Sequence, residues 1–361
     1  MCLEFVVVRG SFGFTTTSVK TTESYSRCPP EPTIPGGSSK REELCYQCAT
    51  MRGRLLIAST SALLLFLVDC AGSVPPPPTG SSPVIIAAAG DIACGPANSA
   101  FNSGRGTADA CRQKATSDLV RRLPGLDALL ALGDLQYCCG ELAAFQQAYH
   151  HTWGRFNRIV YPVVGNHEYL TDGAVGYFSY LKDRAGPSGK GYYSFDLGSW
   201  HFVALNSQCD DIGGCQAESP QGRWLKADLM AHPTECTLAF WHIPRFSSGP
   251  HGNNGSYNDF WQLLYDADAD VILNAHDHIY ERFARQDPQA ELDEVRGIRQ
   301  FTVGTGGVNH YRIVAVQPNS EIRNNSAYGI LKLTLRPGSY DWKFISAPPQ
   351  TFSDSGTELC H

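Results

Sequence analysis

The sequence predicts an α/β fold on a sheet whose strands are buried on both faces. Three observations predict it. Near-continuous apolar runs of strand length recur from residue 84 to 276, amphipathic helical stretches lie between them, and from about residue 298 consecutive strands follow without helices. Continuous apolar runs mark strands covered on both sides. Alternation of strand and helix marks an α/β sheet.

The elements follow in order. "VIIAAAG" (84–90) reads as the first strand and "ADACRQKATSDLVRRL" (108–123) as a helix, with apolar positions at helical spacing. "LDALLALGD" (126–134) is the second strand, "ELAAFQQAYHHTW" (141–153) a helix, and "IVYPVVGN" (159–166) and "HFVALNS" (201–207) further strands. "PQGRWLKADLMAH" (220–232) is a third helix, before the strands "CTLAFWH" (236–242) and "DVILNAH" (270–276). "RQFTVGTGG" and "YGILKLTLRPGSYDWKFI" then read as strands with tight turns, expected to form a second, antiparallel-leaning sheet that completes the core. No internal repeat is visible.

The 361 residues are 42% hydrophobic and 11% aromatic, enough for a sizeable core. The net charge is −6 and the basic residues form no stripe, so nucleic acid is not an expected partner. Residues 1–50 are rich in Ser, Thr and Pro and read as a non-native or disordered extension, with the true start at Met51. Residues 51–70 resemble a secretory signal: Arg52 and Arg54 precede an apolar core, Leu55 to Val68, that is short for a membrane span. "LVDC" resembles a lipoprotein box with Cys70 as lipid anchor, although Asp69 departs from the usual small residue. Residues 71–83 form a Pro-rich tether, and 84–361 the folded domain. Of 13 cysteines, eight fall after the tether: Cys94, Cys111, Cys138, Cys139, Cys209, Cys215, Cys236 and Cys360. An even set fits a disulfide-bonded, extracytoplasmic domain. "CDDIGGC" (209–215) can close a small loop, whereas "CYQC" (45–48) lacks a second half and is not a metal site.

Ligands of open α/β sheets bind beyond the carboxyl ends of the strands. Here five runs end in polar donors: Asp91; Asp134 with Tyr137 three residues on; Asn166, His167 and Glu168; His242; and His276 with His278. A single Asp after Gly is a turn, and a single His is structural. Five donor-bearing ends on one edge point instead to a metal site. Carboxylate, imidazole, amide and phenolate donors without cysteine suit Fe, Mn or Zn. Even seven of these nine side chains exceed the needs of one open ion. They suit two ions sharing a carboxylate, the arrangement that clamps attacking and leaving oxygens in phosphoryl transfer.

"GDIA" (90–93), "GDLQY" (133–137), "GNHE" (165–168), "AFWH" (239–242) and "AHDHIYER" (275–282) resemble the five sequence blocks of the calcineurin-like metallophosphoesterases, in the family's order. They resemble more narrowly the purple acid phosphatase branch. That branch lacks the histidine two residues after the first aspartate, here Ala93, and uses a tyrosine from the second block, here Tyr137; "VGTGG" (303–307) is similar to its later strand. The departures are Ala275 in place of Gly, and Ala239-Phe240-Trp241 where a β-branched residue is common. The resemblance implies a four-layer α/β/β/α sandwich with two packed mixed sheets, in a compact form without the plant members' N-terminal domain. It implies that Asp91, Tyr137 and His278 hold Fe(III), that Asn166, His242 and His276 hold Fe, Zn or Mn(II), and that Asp134 bridges them. It implies His167 near the leaving group and His251 in contact with substrate. The expected activity is hydrolysis of small phosphomonoesters by a metal-activated hydroxide. The alternatives are a phosphodiesterase or nucleotidase on the same fold, and a non-catalytic phosphate- or metal-binding surface lipoprotein. Residues 94–111 and 207–219 are candidate caps over the site. His150, His151 and His310 are left as surface or packing residues. The oligomeric state and the identity of the second metal are not legible.

Overall fold

A computed structural model describes residues 82–361. The extension 1–50, the signal segment 51–70 with Cys70, and the tether as far as residue 81 lie outside the described residues. The strands are β1 Val84–Ala89, β2 Ala128–Leu132, β3 Val160–Val163, β4 Tyr193–Leu197, β5 Trp200–Ala204, β6 Cys236–Phe240, β7 Val271–Asn274, β8 Tyr280–Phe283, β9 Arg299–Val303, β10 Ser320–Asn324, β11 Gly329–Arg336, β12 Ser339–Ser346 and β13 Ser355–Leu359. They form a six-stranded sheet ordered β13-β12-β11-β1-β2-β3 and a seven-stranded sheet ordered β10-β8-β9-β7-β6-β5-β4. Both are mixed. In the first, β1, β2 and β3 are parallel and β11 to β13 antiparallel. In the second, β5, β6, β7 and β9 are parallel, flanked by antiparallel β4, β8 and β10.

Period-two burial explains the layers. In the second sheet Phe202, Leu238, Leu273 and Phe301 join Ile86, Ala88, Leu130 and Leu331 of the first sheet in one core. The alternate residues Val203, Ala239 and Ile272 join Leu225 and Leu229 of helix Pro220–Ala231 and Phe260, Trp261 and Leu264 of helix Asn258–Asp266. Leu119 and Val120 of helix Gln113–Arg122 pack into the first core. The result is the expected four-layer α/β/β/α sandwich. No helix of the described residues is long and apolar enough to cross a membrane.

Three expectations change. The strands after residue 298 do not build a sheet of their own. β9 pairs with β7 and β10 with β8, whereas β11 crosses to pair with β1. β1 is a fully apolar central strand, and an unpaired edge there would leave buried backbone groups without partners. The helix expected over 141–153 ends at Gln147, and two 3₁₀ turns follow, Tyr149–His151 and Trp153–Phe156. The break turns Tyr149 and Trp153 fully inward, and Trp153 Nε1 donates to the Gln113 carbonyl at 3.1 Å. Strands β4 and β8 were not anticipated. "YSFDL" is a half-buried edge strand and "YERF" carries a buried glutamate, so neither presents an apolar run.

Disulfides join Cys94 to Cys111, Cys209 to Cys215, and Cys236 to Cys360. The first two close the loops marked as candidate caps. The third fixes Cys360 beside the start of β6.

A buried imidazole ties the edge hairpin to a helix. His201 on β5 reaches Asp196 of β4 with Nδ1 at 2.7 Å and Asp228 of helix Pro220–Ala231 with Nε2 at 3.0 Å. Burial pushes His201 down, but the two carboxylates outweigh it and hold its pKa above the ordinary 6.5. Burial would raise Asp228, but its bonds from His201 and Ser194 lower it. The raised histidine contributes stability that is complete below pH 6.5 and is lost as pH rises through the folded-state value. His201→Gln should therefore lower the melting temperature most between about pH 5 and 6.5, with the gap to wild type narrowing toward pH 9. Melting curves across that range test this, and a constant gap would contradict it.

Candidate metal centre

The seven expected donors follow the carboxyl ends of strands from both sheets: Asp91 after β1, Asp134 and Tyr137 after β2, Asn166 after β3, His242 after β6, and His276 and His278 after β7. The two sheets are stitched together at this edge. Gly90 N–H donates to the Val303 carbonyl at 2.9 Å, and His276 N–H donates to Asp91 Oδ2 at 2.8 Å. Asp91, Asp134 and His276 each take positive φ, at 56°, 47° and 68°. Left-handed backbone is uncommon and mildly strained for such residues, and it clusters at functional sites. It turns the chain sharply so that each side chain faces the cleft. Small neighbours make this possible: a Cβ on Gly133 would strike the His242 ring, and one on Gly165 would strike Asp134.

The donors form two sets that meet at Asp134. In one, the Tyr137 hydroxyl lies 2.8 Å from Asp91 Oδ1, 3.0 Å from Asp134 Oδ2 and 2.9 Å from His278 Nε2. In the other, His242 Nε2 lies 3.2 Å from Asp134 Oδ2 and 3.2 Å from Asn166 Oδ1. Asp134, His242 and His276 hold their ligand atoms within 4.8 Å of one another. The rings are oriented from behind. His242 Nδ1 donates to the Leu132 carbonyl and His278 Nδ1 to the Asn309 carbonyl, each at 2.8 Å. Each ring thus turns Nε2 inward, as in ordered metal sites.

The charge balance fits a cation. Asp91 and Asp134 are buried, and among the described residues none of their side-chain partners is Lys or Arg. Burial would raise Asp134, but His242 and His167 outweigh it and lower its pKa. Burial would lower His242, but Asp134 raises it to about 9. Burial and the adjacent His251 and His242 push His276 well down. Burial, then Asp134 and Asp91, push the Tyr137 phenol well up. A buried carboxylate pair of this kind needs compensating positive charge. Divalent or trivalent ions would supply it, and the oxygen and nitrogen donors suit Fe, Mn and Zn.

The remaining expected residues sit at the rim. His167 Nδ1 lies 2.7 Å from the Cys138 carbonyl, its Nε2 is 3.9 Å from Asp134 Oδ2, and its ring packs 4.1 Å from that of Tyr137. His251 packs 4.1 Å from His276. His310 contacts the His278 carbonyl and packs on Tyr328, as a packing residue would, and His150 and His151 are exposed. The Cys94–Cys111 bridge clusters with Tyr137 and Val308, so the first candidate cap does reach the donors.

Residues to which the sequence reading gave no role hold the site in shape. Glu168 is fully buried and accepts from the backbone N–H groups of Asp134, Gln136 and Gly165 at 3.0, 3.1 and 2.8 Å. Its place in "GNHE" was visible, but only the fold shows that it braces the preceding block, "GDLQY". Tyr311 stacks on His278 with ring centres 3.8 Å apart, a contact across 33 residues of sequence that no local pattern marks. Glu168→Ala would strand three N–H groups, each costing about 1–3 kcal/mol. Denaturant unfolding should show a loss of roughly 3 kcal/mol or more, against under 1 kcal/mol for the exposed Glu141→Ala.

Comparison with known proteins follows the same lines. Residues 86–280 match the profile of the calcineurin-like phosphoesterase family. Purple acid phosphatase 18 of Arabidopsis thaliana is 29% identical over 198 residues, covering 48% of this chain and 42% of that protein. Purple acid phosphatase 22 of the same plant is 27% identical, covering 57% and 51%. The chain thus spans about half the length of these curated relatives. In fold, it matches the structure of a purple acid phosphatase from yellow lupin (Lupinus luteus) seeds with a TM-score of 0.64 at 17% identity, over 78% of this chain and 55% of that one.

Proposed function

The chain belongs to the calcineurin-like phosphoesterase family, and from that premise we propose that it hydrolyses phosphate esters, small phosphomonoesters foremost, at a dinuclear metal centre. The observation that carries the reading is Asp134, whose carboxylate lies 3.0 Å from Tyr137 in one donor set and 3.2 Å from His242 in the other. Asp91, Tyr137 and His278 are assigned to Fe(III), and Asn166, His242 and His276 to Fe, Zn or Mn(II), with Asp134 between them. When bound, such a pair lowers the pKa of water and neutralises charge on the transferring phosphoryl group.

The protein's own groups do the rest. The Cys138 carbonyl holds His167 by Nδ1, so Nε2 is the nitrogen available to protonate the departing ester oxygen. As a water-derived hydroxide oxygen bonds to phosphorus and the ester P–O bond breaks, the departing oxygen takes the His167 proton and leaves as an alcohol, with phosphate as the other product. A positioned acid contributes roughly 10²–10⁴-fold. His251 contacts the phosphoryl oxygens. The Cys94–Cys111 loop against Tyr137 supports a narrow pocket, which favours a small monoester over a diester or nucleotide. The residues 84–361 act as one catalytic domain. The disulfides among the described residues support an extracytoplasmic, oxidising compartment.

Assays of the purified chain on a chromogenic monoester and its diester, from pH 4 to 9 with Fe, Mn and Zn supplied separately, should show monoester hydrolysis that Asp134→Asn abolishes. No turnover of either ester would overturn the reading. His167→Ala should slow alkyl esters more than activated aryl esters; equal losses would remove the acid role. The iron-loaded protein should be coloured, and Tyr137→Phe should bleach it. A colourless, fully active, iron-free protein would instead favour a plain divalent pair.

A further inference from the structure

His251 is held by a buried carboxylate that belongs to neither donor set. Its Nδ1 lies 2.7 Å from Asp277 Oδ1, and its backbone N–H approaches the same oxygen at 3.4 Å. The other oxygen of Asp277 accepts from the Ser247 hydroxyl, which in turn accepts from Gly249 N–H at 3.0 Å. Gly249 lies so close to the carboxylate that a Cβ would collide with it. Asp277 is fully buried, whereas the His251 side chain keeps 37% of its surface exposed. Asp277 stands between His276 and His278 in the chain, yet its carboxylate bonds are made to residues 247–251. A short bond from Nδ1–H to a carboxylate fixes both the tautomer and the ring plane of a histidine. It leaves Nε2 as the atom His251 can offer to a ligand at the rim.

We propose that Asp277 is a positioning residue that locks His251 with Nε2 presented to the phosphoryl oxygens of the substrate. The inference rests on the hydrolase reading above, in which His251 contacts the phosphoryl group. Asp277 acts on the reaction through His251, and Ser247 steadies Asp277 from behind.

A double-mutant cycle on the full chain tests this, with His251→Gln, Asp277→Asn and the double variant assayed on the monoester. Asp277→Asn should lower kcat/KM about 10–100-fold, as loss of an orienting partner does. In the His251→Gln background the same change should cost less than threefold. Metal content, measured on each purified variant, should match wild type. Multiplicative losses, or a fall in bound metal that tracks activity, would overturn the proposal, because Asp277 would then act through the metal ligands. Ser247→Ala, which leaves the carboxylate in place, should give a smaller loss in the same direction. If the wild-type chain hydrolyses neither ester, the hydrolase reading fails on its own, and a second readout still decides the geometry. In ¹⁵N-histidine NMR of the zinc-loaded protein, the Nδ1–H signal absent from His251→Gln should be protected from exchange in wild type and lost or broadened in Asp277→Asn. An unchanged signal would overturn the positioning role whatever the assays show.

Discussion

Asp91 and Asp134 are removed from water, and no lysine or arginine among the described residues is bonded to either. Removing such charges from water costs several kcal/mol each unless something compensates. The surroundings are organised around this constraint. A phenol reaches both carboxylates, backbone N–H groups from His276 and His167 cap their other oxygens, and imidazoles approach from the opposite sheet. These groups satisfy the carboxylate lone pairs, and a protonated His242 offsets at most one of the two charges, leaving a net negative charge. A cation in the cleft would cancel it.

The fold supplies the geometry that this charge requires. Five strands from two sheets end at one edge, and left-handed turns at Asp91, Asp134 and His276 swing their side chains into the cleft. That strain is tolerated because the turns are braced. Glu168 gathers the N–H groups of Asp134, Gln136 and Gly165, and the ring nitrogens of His242 and His278 are anchored to carbonyls. The rim is braced in the same manner, with His167 held by a carbonyl and His251 by Asp277. The donor sets and the rim histidines are thus positioned by buried polar groups on rigid strand ends rather than by mobile loops.

Much of this was legible in the sequence because burial on both faces leaves a continuous apolar run, and each run stops where the chain reaches the cleft. The strands ending at Asp91, Asp134, Asn166, His242 and His276 could be placed to within a few residues for that reason. What escaped was long-range or weakly patterned. β4 is a half-buried edge, and β8 carries a buried glutamate that accepts from Ser248 and Ser320, so neither shows the apolar signature. The division of the last strands between the two sheets depends on the open edge of β1, which local sequence does not record. Glu168 and Asp277 were in view within "GNHE" and "AHDHIYER", but Gln136 lies 32 residues from Glu168 and His251 lies 26 from Asp277, and only the folded chain makes these bonds.

The most direct test of the central claim is crystallographic: anomalous scattering from the full chain grown with iron and zinc, collected at both absorption edges. The account predicts two peaks about 3.5–4 Å apart, one on either side of the Asp134 carboxylate, with iron on the Tyr137 side. A single peak, or two peaks that do not share Asp134, would contradict it.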